Sequence, residues 1–106
     1  MFSRVGDKWT MLVVAYLGEG PMRFNELRRG IGTISQKMLT STLRTLERDG
    51  YVSRTVTPSR PPHVDYALTD LGLSLLVPIN DLARWTIENL DAIQAARADY
   101  DAREGN

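Results

Sequence analysis

One predicted helix, residues 35–49, carries a face on which every side chain can donate a hydrogen bond. At about 100° per residue this face covers an arc of roughly 140°, with the acidic Glu47 at its edge. Gln can form two hydrogen bonds with adenine, Arg and Lys bond to guanine, and the Thr methyl group contacts thymine. The face therefore predicts contacts with base edges in a DNA major groove. Together with the first residue of the segment, it comprises Ser35, Gln36, Lys37, Thr40, Ser41, Arg44 and Arg48.

Arginines outside this helix are candidates for further contacts with nucleic acid. Arg60 lies between prolines at the tip of a predicted hairpin, a stiff support from which a guanidinium can enter a minor groove. Arg28, Arg29 and Arg54 are expected to contact phosphates, which position a protein without reading sequence. For each of these residues, and for the helical face, an ordinary solvated side chain is the simpler alternative.

The residue types needed for catalysis or metal binding are scarce. The 106 residues include no cysteine and a single histidine, His63, which excludes thiolate chemistry and leaves too few ligands for a zinc site. Asp65 and Asp70 have no activated nucleophile or second histidine beside them, and no glycine-rich loop could hold a phosphate. We therefore expect no enzyme activity, no metal and no cofactor.

Charge is distributed unevenly along the chain. The net charge is zero, but residues 1–60 carry ten basic and five acidic residues, and residues 61–106 carry three basic and eight acidic ones. A net charge of +5 on residues 1–60 suggests an anionic partner for this part of the chain. Charge alone is equally consistent with a chance distribution of surface residues. The longest apolar run, residues 11–17, is too short to span a bilayer, so the protein is expected to be cytoplasmic.

Local signals divide the first fifty residues into helices and turns. Asp7 can cap a helix that ends at the Gly-rich stretch 18–21, and an extended piece over 22–24 leads into a short helix over 25–30. Ser35 is the predicted N-cap of the polar-faced helix, and Gly50 is its C-terminal stop. Its inward positions are Leu39, Leu43 and Leu46.

The second part of the chain reads as a hairpin followed by long helices. Residues 51–57 and 64–68 are predicted strands around a proline-rich tip, and Thr69 caps the next helix. Pro78 should kink or restart that helix, after which an amphipathic helix runs from Ile79 to about Tyr100. A helix pair followed by a hairpin predicts a mainly α fold with a small β-hairpin wing, a winged helix-turn-helix.

Several motifs follow one another in order over about residues 6–85. They are Gly6-x-Lys8-Trp9-Thr10, Arg23-Phe24-Asn25-Glu26-Leu27, Ile34-Ser35-Gln36-Lys37-Met38-Leu39-Thr40, Leu43-Arg44-x-Leu46-Glu47-x-Asp49-Gly50, Pro61-Pro62-x-Val64-x-Tyr66 and Leu68-Thr69-x-Leu71-Gly72. Together these motifs resemble the HxlR-type bacterial regulators. The resemblance implies one domain over residues 1–106, with a recognition helix at about 35–49, a wing at about 51–68 and C-terminal dimerisation helices at about 70–102. It departs at residues 1–5, where members typically carry a longer leader, often with a Cys-Pro pair, so thiol sensing is not expected here.

The same resemblance implies a homodimer formed by additional N- and C-terminal helices, each subunit binding half of an inverted repeat. Apolar residues on the C-terminal helix would be exposed unless a two-fold partner covered them. Trp9, Tyr16 and Trp85 have the alternative of lining a cavity for a small-molecule effector, which the sequence leaves open. The expected dimer residues are Trp9, Val13, Leu82, Trp85, Ile87, Leu90 and Ile93.

Two functions of different classes follow from these observations. The first is a sequence-specific regulator of transcription that binds double-stranded DNA, as a repressor or a dual regulator. The alternative is a winged helix used for protein–protein contact, with its basic face docked on an acidic partner. The two differ in salt dependence, because release of counterions from DNA makes binding fall steeply as salt rises.

Overall fold

The predicted order of helices and strands is confirmed, with changes at their ends. The computed structural model describes residues 8–105, so the proposed cap Asp7 lies outside the described residues. A mainly helical chain carries one small antiparallel sheet, the fold class expected from the sequence. In chain order the elements are α1 (Lys8–Leu17), β1 (Met22–Arg23), α2 (Phe24–Ile31), α3 (Gln36–Arg48), β2 (Val52–Thr57), β3 (His63–Leu68), α4 (Asp70–Glu88) and α5 (Leu90–Glu104).

Helix α3 begins and ends where its local chemistry dictates. The Ser35 hydroxyl accepts a hydrogen bond from the Met38 backbone N–H at 3.0 Å, which satisfies one of the free donors of the first turn. At the other end Gly50 has φ +86°, a left-handed conformation that residues with a Cβ rarely adopt. The Tyr51 N–H donates to the Leu46 carbonyl at 2.9 Å and the Gly50 N–H to the Glu47 carbonyl at 3.2 Å, the pattern of a Schellman motif.

The core lies between the first three helices and the start of the wing. Leu39, Leu43 and Leu46 of α3 are all buried, as their spacing predicts. They pack with apolar residues of α1 and α2 and with the first residue of β2. Within the described residues the buried apolar set is Val13, Val14, Leu17, Leu27, Ile34, Leu39, Leu43, Leu46 and Val52.

The sheet contains a strand pairing that the sequence did not reveal. Its order is β1-β3-β2, antiparallel throughout, so the short β1 lies beside β3 and completes a three-stranded wing. Met22 is opposite Tyr66 and Arg23 is opposite Asp65. The sequence indicated only an isolated extended piece over 22–24, because two residues carry no periodicity and their partner lies more than forty positions away.

Of the two outcomes expected at Pro78, a kink or a restart, the restart is wrong. Helix α4 continues through Pro78 to Glu88, and the break falls at Asn89, before α5. Pro78 has no backbone N–H to donate to the Ser74 carbonyl, four residues earlier. Because Pro78 is exposed, water can donate to that carbonyl instead. At Asn89 the side-chain amide donates to the Trp85 carbonyl at 2.8 Å. This local hydrogen bond competes with those of a continuing helix, and α4 ends here. The single helix predicted from Ile79 to Tyr100 is therefore two helices.

The C-terminal helices make the chain long and narrow. It measures 60 × 27 × 24 Å, and its radius of gyration is 17.2 Å. A compact domain of this length has a radius of gyration of about 13 Å. No residue of α5 is buried, and Gly72 is the buried residue of α4. The two helices thus leave most of their side chains uncovered in the single chain.

Gly72 provides a stability test of the contact between α4 and the wing. A methyl group at this position would overlap the Tyr51 carbonyl oxygen and lie 3.0 Å from the Leu68 side chain. Because the clash involves backbone, we expect Gly72→Ala to cost about 2 kcal/mol of unfolding free energy. Thermal melting at one fixed protein concentration should show a loss of roughly 10 °C. Ser74→Ala, at an exposed position one half-turn further on, should melt like the unaltered protein; equal melting of both variants would contradict the clash.

Candidate nucleic-acid interface

The outer face of α3 gathers most of the residues expected to read bases. Since Leu39, Leu43 and Leu46 point into the core, the opposite side of the helix is turned to solvent. Gln36, Lys37, Ser41, Arg44 and Arg48 are exposed there, while Thr40 is half-buried and Ser35 caps the helix. A shallow depression along this face is lined by Gln36, Lys37, Thr40, Ser41, Arg44 and Thr45.

Thr45 is the member of this depression that the sequence analysis missed. It lies one turn after Ser41, about 40° around the helix, so the spacing that identified Ser41 identifies Thr45 as well. Its hydroxyl adds a donor and an acceptor near Arg44. The donor-rich face is therefore wider around α3 than the predicted set, although it does not extend beyond Arg48 along the helix.

A cleft of about 260 Å³ separates α3 from the sheet. Arg44 contributes to it from the helix and Arg54 from β2, so one cation lines each side. Glu47, which the sequence placed at the edge of the donor-rich face, contributes a carboxylate, and Tyr66, which was not a predicted site residue, contributes a phenol. The remaining lining residues are Phe24, Thr40 and Leu43.

Arg54 does not stand free as a phosphate ligand. Its Nε lies 3.5 Å from both carboxylate oxygens of Glu47, and both side chains are partly exposed, at 48% and 39%. An exposed pair of this kind contributes little to stability. It does place a negative charge within the basic surface and directs Arg54 toward the end of α3. The two residues are seven positions apart across a helix stop and a turn, so their pairing has no signature in sequence spacing.

Arg28 and Arg29 lie at the end of α2, exposed and close to the turn that leads into α3. With Asn25 and Gly32 they line a second shallow depression. Positive charge near a helix C-terminus is also favourable to the helix dipole, so part of their role is local. Arg29 also lines a depression to which Val64 of β3 contributes.

The tip of the wing is an exposed loop of residues 58–62 that carries Arg60. The Ser59 hydroxyl donates to the Pro61 carbonyl at 2.8 Å and lies 3.2 Å from Nδ1 of His63. The Nε2 atom of His63 faces an Asp65 carboxylate oxygen at 4.0 Å. His63 is thus the first residue of β3 and has its partners on the wing.

The residues expected to form a dimer fall into two groups. Leu82, Trp85, Ile87 and Leu90 are exposed, by 52%, 55%, 72% and 41%, and Ile93 is half-buried. Trp9 is half-buried against the core, and Lys8 lies over its ring at 4.5 Å. These residues retain some surface for a partner.

The expectation for Val13 requires correction. Val13 is fully buried among its own chain's core residues, so it has no surface to offer a second subunit. The helical period placed it on the same side of α1 as Trp9, but that side faces α2, α3 and α4 rather than solvent. Tyr16, on the same helix, donates its hydroxyl to the Gly30 carbonyl at 2.6 Å and so joins α1 to α2.

Other site types find no support in the part of the chain that the structure describes. Within residues 8–105 no group of three or more His, Asp or Glu side chains is arranged to hold a metal ion. Over the same residues, no helix combines the length and the apolar character that crossing a membrane requires. The donor-rich face of α3 and the basic residues around it remain the principal candidate site.

The fold and the site together define a winged helix-turn-helix transcriptional regulator. A helix pair, α2 and α3, is followed by the β2–β3 hairpin, which β1 completes to a three-stranded wing, and the second helix presents the polar face. A family model described as HxlR-like helix-turn-helix matches residues 4–94. The chain belongs to this family, as its motifs indicate.

Relatives and solved structures agree with this assignment. The HTH-type transcriptional regulator YtfH of Escherichia coli is 41% identical over 97 residues, which span 92% of this chain and 77% of YtfH. The regulator YkvN of Bacillus subtilis is 47% identical over 81 residues, 76% of this chain and 69% of YkvN. The solved structure of a transcriptional regulator ytfH from Salmonella typhimurium superposes with a TM-score of 0.81 at 40% identity, covering 90% of this chain and 85% of that one.

The Glu47–Arg54 pair generates a prediction about the interface. Glu47→Gln removes a carboxylate from the basic surface and frees Arg54 to meet a phosphate. We expect duplex DNA of any sequence to bind more tightly and the salt dependence to steepen by about one counterion. Fluorescence anisotropy across a KCl series measures both quantities.

Glu104→Gln is the matched control, since it removes the same charge near the end of α5. It should leave affinity and salt dependence close to those of the unaltered protein. If Glu47→Gln behaved like the control, the carboxylate would have no influence on DNA binding.

Proposed function

We propose that the protein is a homodimeric, sequence-specific regulator that binds double-stranded DNA at an inverted-repeat operator in the cytoplasm. It would act as a repressor or a dual regulator by occluding or reshaping a promoter. The observation that carries the proposal is the exposed, donor-rich face of α3, a helix that lies between α2 and the β2–β3 hairpin in the chain. A small-molecule effector, which the sequence leaves open, is not part of it.

The length of α3 limits which residues read bases. Gln36 and Arg44 are eight positions apart, or about 12 Å along the helix axis. That distance corresponds to three or four base pairs at about 3.4 Å each. Gln36, Lys37, Thr40 and Arg44 are therefore the best candidates for base contacts, and Arg48, one turn further on, is better suited to a phosphate.

Positive charges around α3 support the same geometry. Arg28 and Arg29 lie at the end of the helix that precedes it, and Arg54 lies on the strand that follows. Phosphate contacts on both sides of the recognition helix would fix its register in the groove. Arg60, at the tip of the wing, would then reach an adjacent minor groove.

The apolar surface of α4 and α5 supports the homodimer. Leu82, Trp85, Ile87 and Leu90 are large, exposed and close together in sequence, and no residue of α5 is buried. An uncovered apolar surface of this kind is typical of an interface with another chain. A two-fold partner would bury the same surface on both subunits and set the half-sites about 34 Å apart, or a multiple of that distance.

Base readout can be separated from phosphate contact with two arginine variants. The DNA probe is a duplex selected from a random pool by the unaltered protein, and a scrambled duplex serves as competitor. We expect Arg44→Ala to reduce the preference for the selected duplex by about 1–3 kcal/mol per half-site, the free energy of a lost bidentate base contact. Arg28→Ala should weaken binding to both duplexes alike and reduce the salt slope by about one per subunit.

Two outcomes of these binding measurements would count against the proposal. Equal losses of Arg44→Ala on the selected and scrambled duplexes would remove Arg44 from base readout. Failure of the unaltered protein to select any duplex, even at low salt, would favour a protein partner for the basic face instead.

The dimer surface is tested by introducing charge. We expect the double variant Ile87→Glu and Leu90→Glu to sediment as a monomer at tens of micromolar, because each subunit would bury two uncompensated carboxylates. Val56→Glu is the matched control, since Val56 is 55% exposed but lies on the wing. It should sediment like the unaltered protein; a monomeric unaltered protein would contradict the homodimer.

A further inference from the structure

Ser59 connects the two sides of the loop that carries Arg60. Its hydroxyl donates to the carbonyl of Pro61 at 2.8 Å, and its backbone N–H donates to the Thr57 carbonyl at 2.9 Å. The same hydroxyl oxygen lies 3.2 Å from Nδ1 of His63, the first residue of β3. One side chain thus contacts the residue after Arg60 and the strand that follows the loop.

The composition of the loop explains why a side chain is needed. Residues 58–62 are Pro-Ser-Arg-Pro-Pro, so only Ser59 and Arg60 have a backbone N–H. The Ser59 N–H is already used within its own side of the hairpin. Cross-loop hydrogen bonds of the usual backbone kind are therefore almost unavailable, and the Ser59 hydroxyl supplies one.

The two contacts of the Ser59 hydroxyl bear on the tautomer of His63. A serine hydroxyl has a single hydrogen, and when Ser59 gives it to the Pro61 carbonyl its oxygen is left to accept from Nδ1–H of His63. In that arrangement the neutral ring carries its proton on Nδ1, and Nε2 lies 4.0 Å from an Asp65 carboxylate oxygen. Asp65 lies 3.9 Å from Nε of Arg23, so a chain of polar contacts runs from β1 to the wing tip.

We propose that Ser59 and His63 are positioning residues that hold Arg60 in the conformation required for contact with DNA. This inference rests on the proposed function, because it concerns how the wing binds. A flexible loop would have to be ordered when DNA binds, whereas a loop already held by Ser59 loses less conformational entropy. We therefore expect Ser59 to change the affinity for DNA only when Arg60 is present.

A double-mutant cycle tests that dependence. With the selected duplex, we expect Ser59→Ala to weaken binding about fivefold, the effect of one hydrogen bond. In an Arg60→Ala background the same substitution should change nothing. Ser59→Thr, which keeps the hydroxyl, should restore binding; Ser53→Ala is the control, since Ser53 also donates on this hairpin, to Ala67 at 3.4 Å.

The tautomer of His63 provides a measurement that does not involve DNA. His63 is the only histidine in the sequence, so its ring ¹⁵N signals are assigned without ambiguity. Spectra of the neutral ring should show a protonated Nδ1 and a bare Nε2, and Ser59→Ala should move the proton toward Nε2. A protonated Nε2 in the unaltered protein would overturn the proposed contact.

The outcomes of the cycle separate this inference from the proposed function. An equal loss from Ser59→Ala with and without Arg60, or no loss from Arg60→Ala itself, would overturn the positioning role while specific DNA binding stood. If the unaltered protein selected no duplex at all, the proposed function would fail and the inference with it.

Discussion

The close approach of α4 to the turn after α3 is the constraint on which the site depends. The Thr69 hydroxyl donates to the Gly50 carbonyl at 2.5 Å, and the Thr69 N–H donates to the Tyr51 carbonyl at 3.1 Å. Gly72 allows this approach because it has no Cβ to meet the Tyr51 backbone. The end of the recognition helix, the start of the wing and the start of α4 are thereby joined within a few residues. The placement of the wing, with Arg54 and Arg60, relative to the end of α3 therefore depends on this junction.

The charges of the chain act over longer distances than the hydrogen bonds and close contacts of this junction. Within residues 8–60 the cations surround α3, while residues 70–104 carry seven acids and three arginines. In the DNA complex we propose, with α3 in the groove, acids more than about 8 Å from the phosphates would be largely screened at physiological salt. Glu47 is an acid that lies within the basic surface. Its place beside Arg54 would reduce the attraction for DNA of any sequence and leave more of the discrimination to base contacts.

The sequence predicted what local chemistry determines, and the structure added what tertiary contact determines. Ser35, Gly50 and Thr69 identified helix ends because a cap needs only its neighbours in the chain. The pairing of β1 with β3 and of Glu47 with Arg54 depends on residues that meet only after folding. No spacing in the sequence therefore predicts these two pairings. Val13 was assigned to the wrong surface for a related reason, since a helical period gives a face but not what covers it. Pro78 was overestimated as a breaker because its exposure, which lets water satisfy the freed carbonyl, is invisible in sequence.

The shape of the chain connects dimer formation to DNA binding. Helices of 19 and 15 residues are about 28 and 22 Å long, which accounts for a longest dimension of 60 Å in so small a protein. Helix α4 starts at the junction with α3 and carries Leu82, Trp85 and Ile87 toward α5. In the homodimer we propose, the subunit interface would thus lie on the helix whose first turn is bonded to the end of the recognition helix. A change in how the two subunits pack would therefore alter the separation of the two recognition helices through the contacts of Thr69 and Gly72.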